Sequence, residues 1–302
     1  MYFKIVLLEL DEYSKGMIWV WSKLSAVKWM DAWEERFYGN QNAVISLLKG
    51  GASLRIEVYS ETEAEAEELR EYWGGSVRKV ANEDWVAKSA VVKPPLKIRD
   101  EIVVTMEGDG ANLEKIREEY QDRLVISVPP EMAFGTGDHP TTANCLRLLV
   151  DEANLRKGTN WNFLDLGTGS GLLAIAARHL GAKKIEAVDY DEAAIAVALR
   201  NCERNGLCLT DQNATVEVGD VFEWAPDAKA EVLIANLFSD VLIAAMPRIA
   251  SWLAKEGTVI LSGILNEQWP AVLEAAQKEG LTFDEPVVRG KWSTAQGTNS
   301  QK

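Results

Sequence analysis

Phe163 to Ala177 reads FLDLGTGSGLLAIAA. An apolar run closes on an aspartate, three glycines follow at alternate positions, and apolar residues at helical spacing begin at once, so the stretch reads as strand, tight turn and helix. Gly167, Gly169 and Gly171 let the backbone turn sharply and lie against a ligand, with the first N–H groups of the helix pointing into the same space. Leu172, Ile175, Ala176 and His179 give that helix a face to lay on a parallel sheet, and Gly181 ends it.

The glycine spacing is G-x-G-x-G, whereas a dinucleotide turn has G-x-G-x-x-G. A third glycine one place early argues against a pyrophosphate over the turn. Lys184 to Asp189, KIEAVD, is a second apolar strand whose final aspartate lies 22 residues beyond Gly167. A carboxylate there accepts hydrogen bonds from both hydroxyls of a ribose, which points to nucleoside recognition.

A chain of 302 residues is long enough for two domains and a sizeable core. The formal charge of -14 disfavours a broad nucleic-acid surface and favours a basic protein partner. Three cysteines without a C-x-x-C pair and two histidines define neither a disulfide framework nor a metal site. No apolar run reaches the roughly 18 residues of a membrane span, and no leader pattern opens the chain, so a cytoplasmic setting is expected.

Toward the amino end, Tyr2–Leu10 reads as a strand and Tyr13–Trp33 as one or two helices with a broad apolar face. Asn42–Leu48 and Ser53–Tyr59 read as strands, Thr62–Trp73 as an acidic helix and Ser76–Val80 as a fourth strand. The order βαββαβ predicts a small ferredoxin-like α+β domain over residues 1–81. Of its tryptophans, Trp21 and Trp33 fall on the inferred buried face, while Trp19 and Trp29 are candidates for exposure. Residues 82–128 read as a linker and β extension: strands at Ile98–Met106 and Leu124–Val128 flank a polar helix, Asn112–Glu119.

The remainder, 129–302, opens on PPEMAFGTGDHPTT, Pro129 to Thr142. This loop, with Phe134 in it, leads into a helix from Thr141 and brings several backbone and hydroxyl donors together. Thr141 or Thr142 can cap the helix, or hold a carboxylate- or sulfonium-bearing substrate tail; His139 can be a packed residue or a proton carrier. Asp220 follows a third strand, Ala214–Val218, where it can face an adenine amino group or serve a turn. Asn236 ends the strand Ala230–Ala235 and offers a donor and an acceptor at the crevice where open sheets bind ligands. Further strands at Thr258–Leu261, Phe283–Val288 and Lys291–Thr294 and a helix at Trp269–Glu279 complete a doubly wound α/β pattern.

FLDLGTGSGLLAIAA, AVDYD and IANL resemble the cofactor site of class I S-adenosylmethionine-dependent methyltransferases. With MAFGTGDHPTT added, the chain from Trp85 to Gly290 resembles the ribosomal protein L11 methyltransferases. The resemblance implies a Rossmann-like catalytic domain with S-adenosylmethionine as cofactor, preceded by a domain that recognises ribosomal protein L11. It implies methylation of lysine side-chain amines and of the terminal α-amine; the alternative is a methyltransferase of the same class acting on another protein or on a small-molecule amine, and charge and hydropathy point to no direct nucleic-acid or membrane partner. Carried over by motif position, it makes Thr142, Gly167, Asp189 and Asn236 cofactor contacts, beside Phe134, Gly169, Gly171 and Asp220. Asn236 is also the candidate for orienting the amine, and no side chain stands out as a general base. An NAD-dependent oxidoreductase would share the strand, turn and ribose acid, but the glycine spacing and the absence of a hydride-transfer pair weigh against it. A binding module without catalysis would be expected to have lost part of the glycine turn, which is intact.

Overall fold

A computed structural model describes residues 17–30, 33, 36–37, 43–48, 52–60, 62–81, 94–129, 139–207 and 213–299. The chain divides into two compact units, Met1–Val92 and Lys93–Lys302.

In the smaller unit, β1 (Met17–Ala26) lies between β3 (Ser53–Ser60) and β4 (Ser76–Ala81), and β2 (Ala43–Leu47) flanks β3, giving the order β2-β3-β1-β4. Every pairing is antiparallel. Together with the helical turn Val27–Trp29 after β1 and the helix α1 (Glu63–Trp73) after β3, this is the ferredoxin-like arrangement. Thr62 caps α1: its hydroxyl accepts from Glu65 N while the Glu65 carboxylate accepts from Thr62 N, and Glu63 and Glu65 suit the positive end of the helix dipole.

The ferredoxin-like strand order is present among the described residues, but its first strand lies where a helix is expected. The helix expected over Tyr13–Trp33 is largely the strand Met17–Ala26, and the strand expected at Tyr2–Leu10 lies outside the described residues. Met17, Val20, Trp21 and Leu24 are spaced like a helix face, yet they belong to a strand carrying apolar residues on both sides. Trp21 and Trp33 are core residues and Trp29 is 54% exposed, whereas Trp19 packs partly buried against the core. Burying a large ring requires a partner for its indole N–H. Trp21 Nε1 donates to the Gly74 carbonyl at 2.7 Å and Trp33 Nε1 to Ser25 Oγ at 2.9 Å.

The larger unit begins with β5 (Leu96–Ile98), β6 (Ile102–Thr105), α2 (Ala111–Glu119) and β7 (Leu124–Ser127). These three strands form a sheet of their own, in the order β5-β6-β7. Ile98, Ile102, Val104 and Ile126 are buried in the same core as the helix α3 (Pro140–Leu155), so the segment read as a β extension packs into this unit. Asn205 clamps it in place, its amide accepting from Ser127 N and donating to Ser127 O, both at 2.8 Å.

The main sheet follows: β8 (Asn162–Leu166), β9 (Lys184–Asp189), β10 (Ala214–Val218), β11 (Ala230–Asn236), β12 (Leu253–Leu265), β13 (Leu281–Phe283), β14 (Val287–Arg289) and β15 (Trp292–Asn299). The helices α4 (Leu172–His179), α5 (Glu192–Arg204), α6 (Ser239–Trp252) and α7 (Trp269–Lys278) alternate with them. The order is β10-β9-β8-β11-β12-β15-β13, with β14 also on β15. β8 to β12 run parallel, while β15 runs antiparallel between β12 and β13. The terminal strand expected over Phe283–Val288 is broken in two, with Asp284, Glu285 and Pro286 between the pieces; a proline has no N–H to give the ladder.

Strand alternation divides the core into two layers. Phe163, Val232 and Ile234 pack with α3 and α4; Leu164, Leu166, Leu233 and Ala235 pack with α6 and α7. Full burial of each large apolar side chain contributes about 1.5–3 kcal/mol. Alternation also assigns the polar strand ends: Asp165 shares the α3 face with Phe163, and Asn236 shares it with Ile234.

Candidate active site

The reversal of strand order falls between β8 and β11, and there the chain gathers its polar residues. After β8 the backbone turns through Gly167, Gly169 and Gly171, with φ of 74°, 53° and 79°, a region that side-chain-bearing residues seldom occupy. Gly167 N and Thr168 N donate to Val188 O, both at 2.9 Å, which ties the turn to the end of β9. A Cβ on Gly171 would lie 3.2 Å from Ala198 Cβ, so the third glycine lets α5 approach. Asn201, on the same helix, is fully buried and donates to Ser170 O at 2.9 Å.

Asp189 closes β9 beside this turn. Its Oδ2 accepts from Gly169 N at 2.9 Å and its Oδ1 from Asp191 N at 3.1 Å, leaving each oxygen a further lone pair. Burial holds its pKa above the usual carboxylate value, against the opposing pull of those backbone N–H groups. Asp220 occupies a turn: its Oδ1 accepts from Phe222 N and its carbonyl from Glu223 N and Trp224 N. Phe134 lies outside the described residues.

The first turn of α3 covers the opposite side. His139 is its cap, since Nδ1 accepts from Thr141 N and sits 2.7 Å from Thr141 Oγ1, while the ring packs edge-on against Trp292 at 5.1 Å. Neither threonine caps the helix. Thr142 is 2% exposed and its hydroxyl has no hydrogen-bond partner among the described residues. The same is true of one oxygen on each of two strand ends, Asn236 Oδ1 and Asp165 Oδ1. Asp165 pairs in register with Ile234, two residues before Asn236, so both unpaired oxygens lie on the α3 face at the carboxyl ends of neighbouring strands.

Two of the residues that shape this place escape a sequence reading. Asp165 looks like the end of an apolar run, yet it is wholly buried, takes a 2.7 Å hydrogen bond from Thr168 Oγ1, and is raised by burial from 3.8 to about 7. Gly263, in β12 just past Ser262, the register partner of Asn236, has φ of 80° and no room for a Cβ, which would meet the Leu237 carbonyl at 2.5 Å. It lets the backbone after Asn236 fold down onto β12.

The shift of Asp165 has a consequence for stability. A carboxyl with a raised folded-state pKa stabilises the fold fully below its unfolded pKa, and that contribution disappears as pH rises through about 7. The unfolding temperature of the native chain is therefore expected to fall more steeply between about pH 5 and about pH 8 than that of Asp165→Asn. Parallel declines in a thermal melt series would show that Asp165 is ionised throughout.

Nucleophilic thiol chemistry is disfavoured at this site, because burial pushes Cys145 and Cys202 up to about 12 and keeps both protonated at neutral pH. Among the described residues no group of His, Cys, Asp or Glu could hold a metal ion, and no helix is long and apolar enough to cross a membrane.

A parallel sheet reversed at β8 and β11, an antiparallel strand set between β12 and β13, a glycine turn after the first strand and an acid after the second define the Rossmann-like fold of class I methyltransferases. The chain belongs to the ribosomal protein L11 methyltransferase family, whose model matches residues 15–300. It is 41% identical over 179 residues to a ribosomal protein L11 methyltransferase of Heliobacterium modesticaldum, covering 58% of this chain and 54% of that protein. With the same protein of Pelotomaculum thermopropionicum it shares 39% over 217 residues, covering 72% and 66%. The matches thus span about half to two thirds of the length of these relatives. Among solved structures, a ribosomal protein L11 methylase of Lactobacillus delbrueckii subsp. bulgaricus superposes with a TM-score of 0.57 at 25% identity, covering 68% of this chain and 99% of that one.

Proposed function

We propose that the chain is an S-adenosylmethionine-dependent methyltransferase acting in the cytoplasm on lysine side-chain and N-terminal amines of ribosomal protein L11. The observation that carries this reading is the set of three buried oxygens with no hydrogen-bond partner among the described residues: Thr142 Oγ1 in the first turn of α3, and Asp165 Oδ1 and Asn236 Oδ1 at the ends of β8 and β11 beside the glycine turn. A buried polar atom without a partner is costly, and all three can accept hydrogen bonds, as a ligand carrying a cationic tail would require. Family membership supports the choice of cofactor and acceptor.

In this reading Asp189 holds the ribose hydroxyls and Asp220 faces the adenine. The turn of Gly167, Gly169 and Gly171 brings the backbone against the adenosyl group, and Thr142 closes the site from α3. Phe134 would add a contact from the loop before it. When bound, the cofactor supplies a methyl group on a sulfonium, which is already activated for transfer. The chain's own task is alignment. A lysine of ordinary pKa, about 10.4, has no free electron pair as an ammonium, so burial of the amine must first favour its neutral form. Asn236 then orients the neutral nitrogen by accepting one of its N–H bonds. Residues 1–81 serve as the grip for the protein acceptor.

Calorimetry with S-adenosylmethionine and with NAD tests the cofactor: binding of the first alone is expected, and binding of NAD alone would overturn the reading. For the acceptor, labelled S-adenosylmethionine and a mixture of ribosomal proteins should give one dominant labelled band, L11, with the label on lysine or the terminal amine. Label on another protein or on a small metabolite, with L11 untouched, would remove L11 from the reading and leave methyl transfer in place.

A further inference from the structure

The far edge of the main sheet carries a feature that cofactor binding does not use. β14 pairs only with β15 among the described residues, so its other edge offers backbone N–H and C=O groups to any strand laid beside it. All three of its residues, Val287, Val288 and Arg289, are exposed. Its register places it at the active-site end of the sheet. Arg289 pairs with Trp292, which pairs with Leu265, beyond the Asn236 partner Ser262. Trp292 in turn packs on His139, the cap of α3.

Beside this edge lie two guanidiniums, those of Arg147 and Arg289, that form no ion pair among the described residues. Arg147 of α3 gives Nη1 to Asn144 Oδ1 at 3.1 Å, and Arg289 has no hydrogen bond or ion pair among the described residues. Arg99, the third guanidinium nearby, is already held by both carboxylate oxygens of Asp151. Burial lowers the Arg147 pKa, and repulsion from Arg289 and Arg99 lowers it further, so an anion beside Arg147 and Arg289 would relieve that repulsion. Asn144 is 3% exposed, and its Nδ2 is a buried donor without an acceptor. Two guanidiniums without a carboxylate among the described residues can donate to an oxyanion.

We propose that the free edge of β14, with Arg147, Arg289 and Asn144 beside it, is a docking site for an extended acidic segment of the protein acceptor. The inference rests on the reading that the acceptor is a protein. Strand addition would use the open backbone edge, Val287 and Val288 would meet apolar side chains of the segment, and a carboxylate would take the guanidiniums. An RNA phosphate would satisfy the arginines but leave the valines and the backbone edge unused.

Fluorescence polarisation on the full chain tests the site with a labelled hexapeptide of alternating valine and glutamate. The comparison probes are its valine–lysine counterpart and a uridine dodecamer of RNA. The glutamate peptide is expected to bind in preference to both, about tenfold more weakly to Arg289→Glu and within about twofold of native affinity to Arg289→Lys. Unchanged affinity of Arg289→Glu for S-adenosylmethionine would show that the fold is intact. Equal binding of the two peptides, indifference to Arg289→Glu, or tighter binding of the RNA would overturn the proposal. Polarisation needs no turnover, so a native chain that binds the peptide yet transfers no methyl group would count against the methyltransferase reading and leave the docking site standing.

Discussion

Replacing Asp189 by alanine is expected to weaken S-adenosylmethionine binding by about a hundredfold or more. Two hydrogen bonds from ribose hydroxyls to an ionised carboxylate are removed, each worth roughly 1.5–3 kcal/mol. The loss has a second part, because Asp189 Oδ2 also accepts from Gly169 N and so steadies the glycine turn. Asp189→Asn separates the two: its amide oxygen can still accept one backbone N–H, while the charge is gone, so its affinity should fall between the other two. Calorimetry alongside thermal melts measures both effects. An alanine variant that melts normally and binds within about threefold of native would place the ribose elsewhere.

Asn236→Ala should act on rate more than on affinity. Turnover at saturating substrates is expected to drop about a hundredfold, with S-adenosylmethionine affinity changed by less than about tenfold. The asymmetry follows from the geometry. Asn236 Oδ1 is buried and unpaired among the described residues, and the backbone around it is held by pairing with Ser262 and by the close fit of Gly263 under Leu237. An acceptor this constrained can fix the direction of an amine N–H, which matters chiefly when the methyl is transferred. Normal turnover would remove that role, and an equal loss of affinity and rate would place the amide against the cofactor instead.

Much of the larger unit was legible because its signals are local. The run FLDLGTGSGLL carries strand, turn and helix within a few residues, and KIEAVD and ATVEV coincide with β9 and β10 to the residue. MIWVWSKLSA was misread because a strand with apolar residues on both faces contains the helical spacing as a subset, and local pattern cannot choose between them. The candidate site was legible only as a list of polar strand ends. That Thr142, Asp165 and Asn236 each keep an unpaired oxygen depends on what α3, β8 and β11 bring near them, and no stretch of sequence states that. Asp165 is the clearest case: its face of the sheet is covered by α3 and α4, so its altered acidity is a property of packing that the local sequence does not state. The approach of Arg289 to Arg147, more than a hundred residues apart in the chain and mutually repulsive, is another.

The position of β15 bears on how the molecule is made. This strand, Trp292–Asn299, is nearly the last of the sequence, yet it is laid between two earlier ones, β12 and β13. During synthesis at about 5–20 residues per second, the nascent chain must present β12 with an unpaired edge for several seconds before Asn299 exists to cover it. The small unit, whose strands are all complete by Ala81, can close long before then. Until Trp292–Asn299 is made, the sheet keeps Val259, Ile260 and Leu261 along an uncovered margin, an edge open to chaperones and to aggregation.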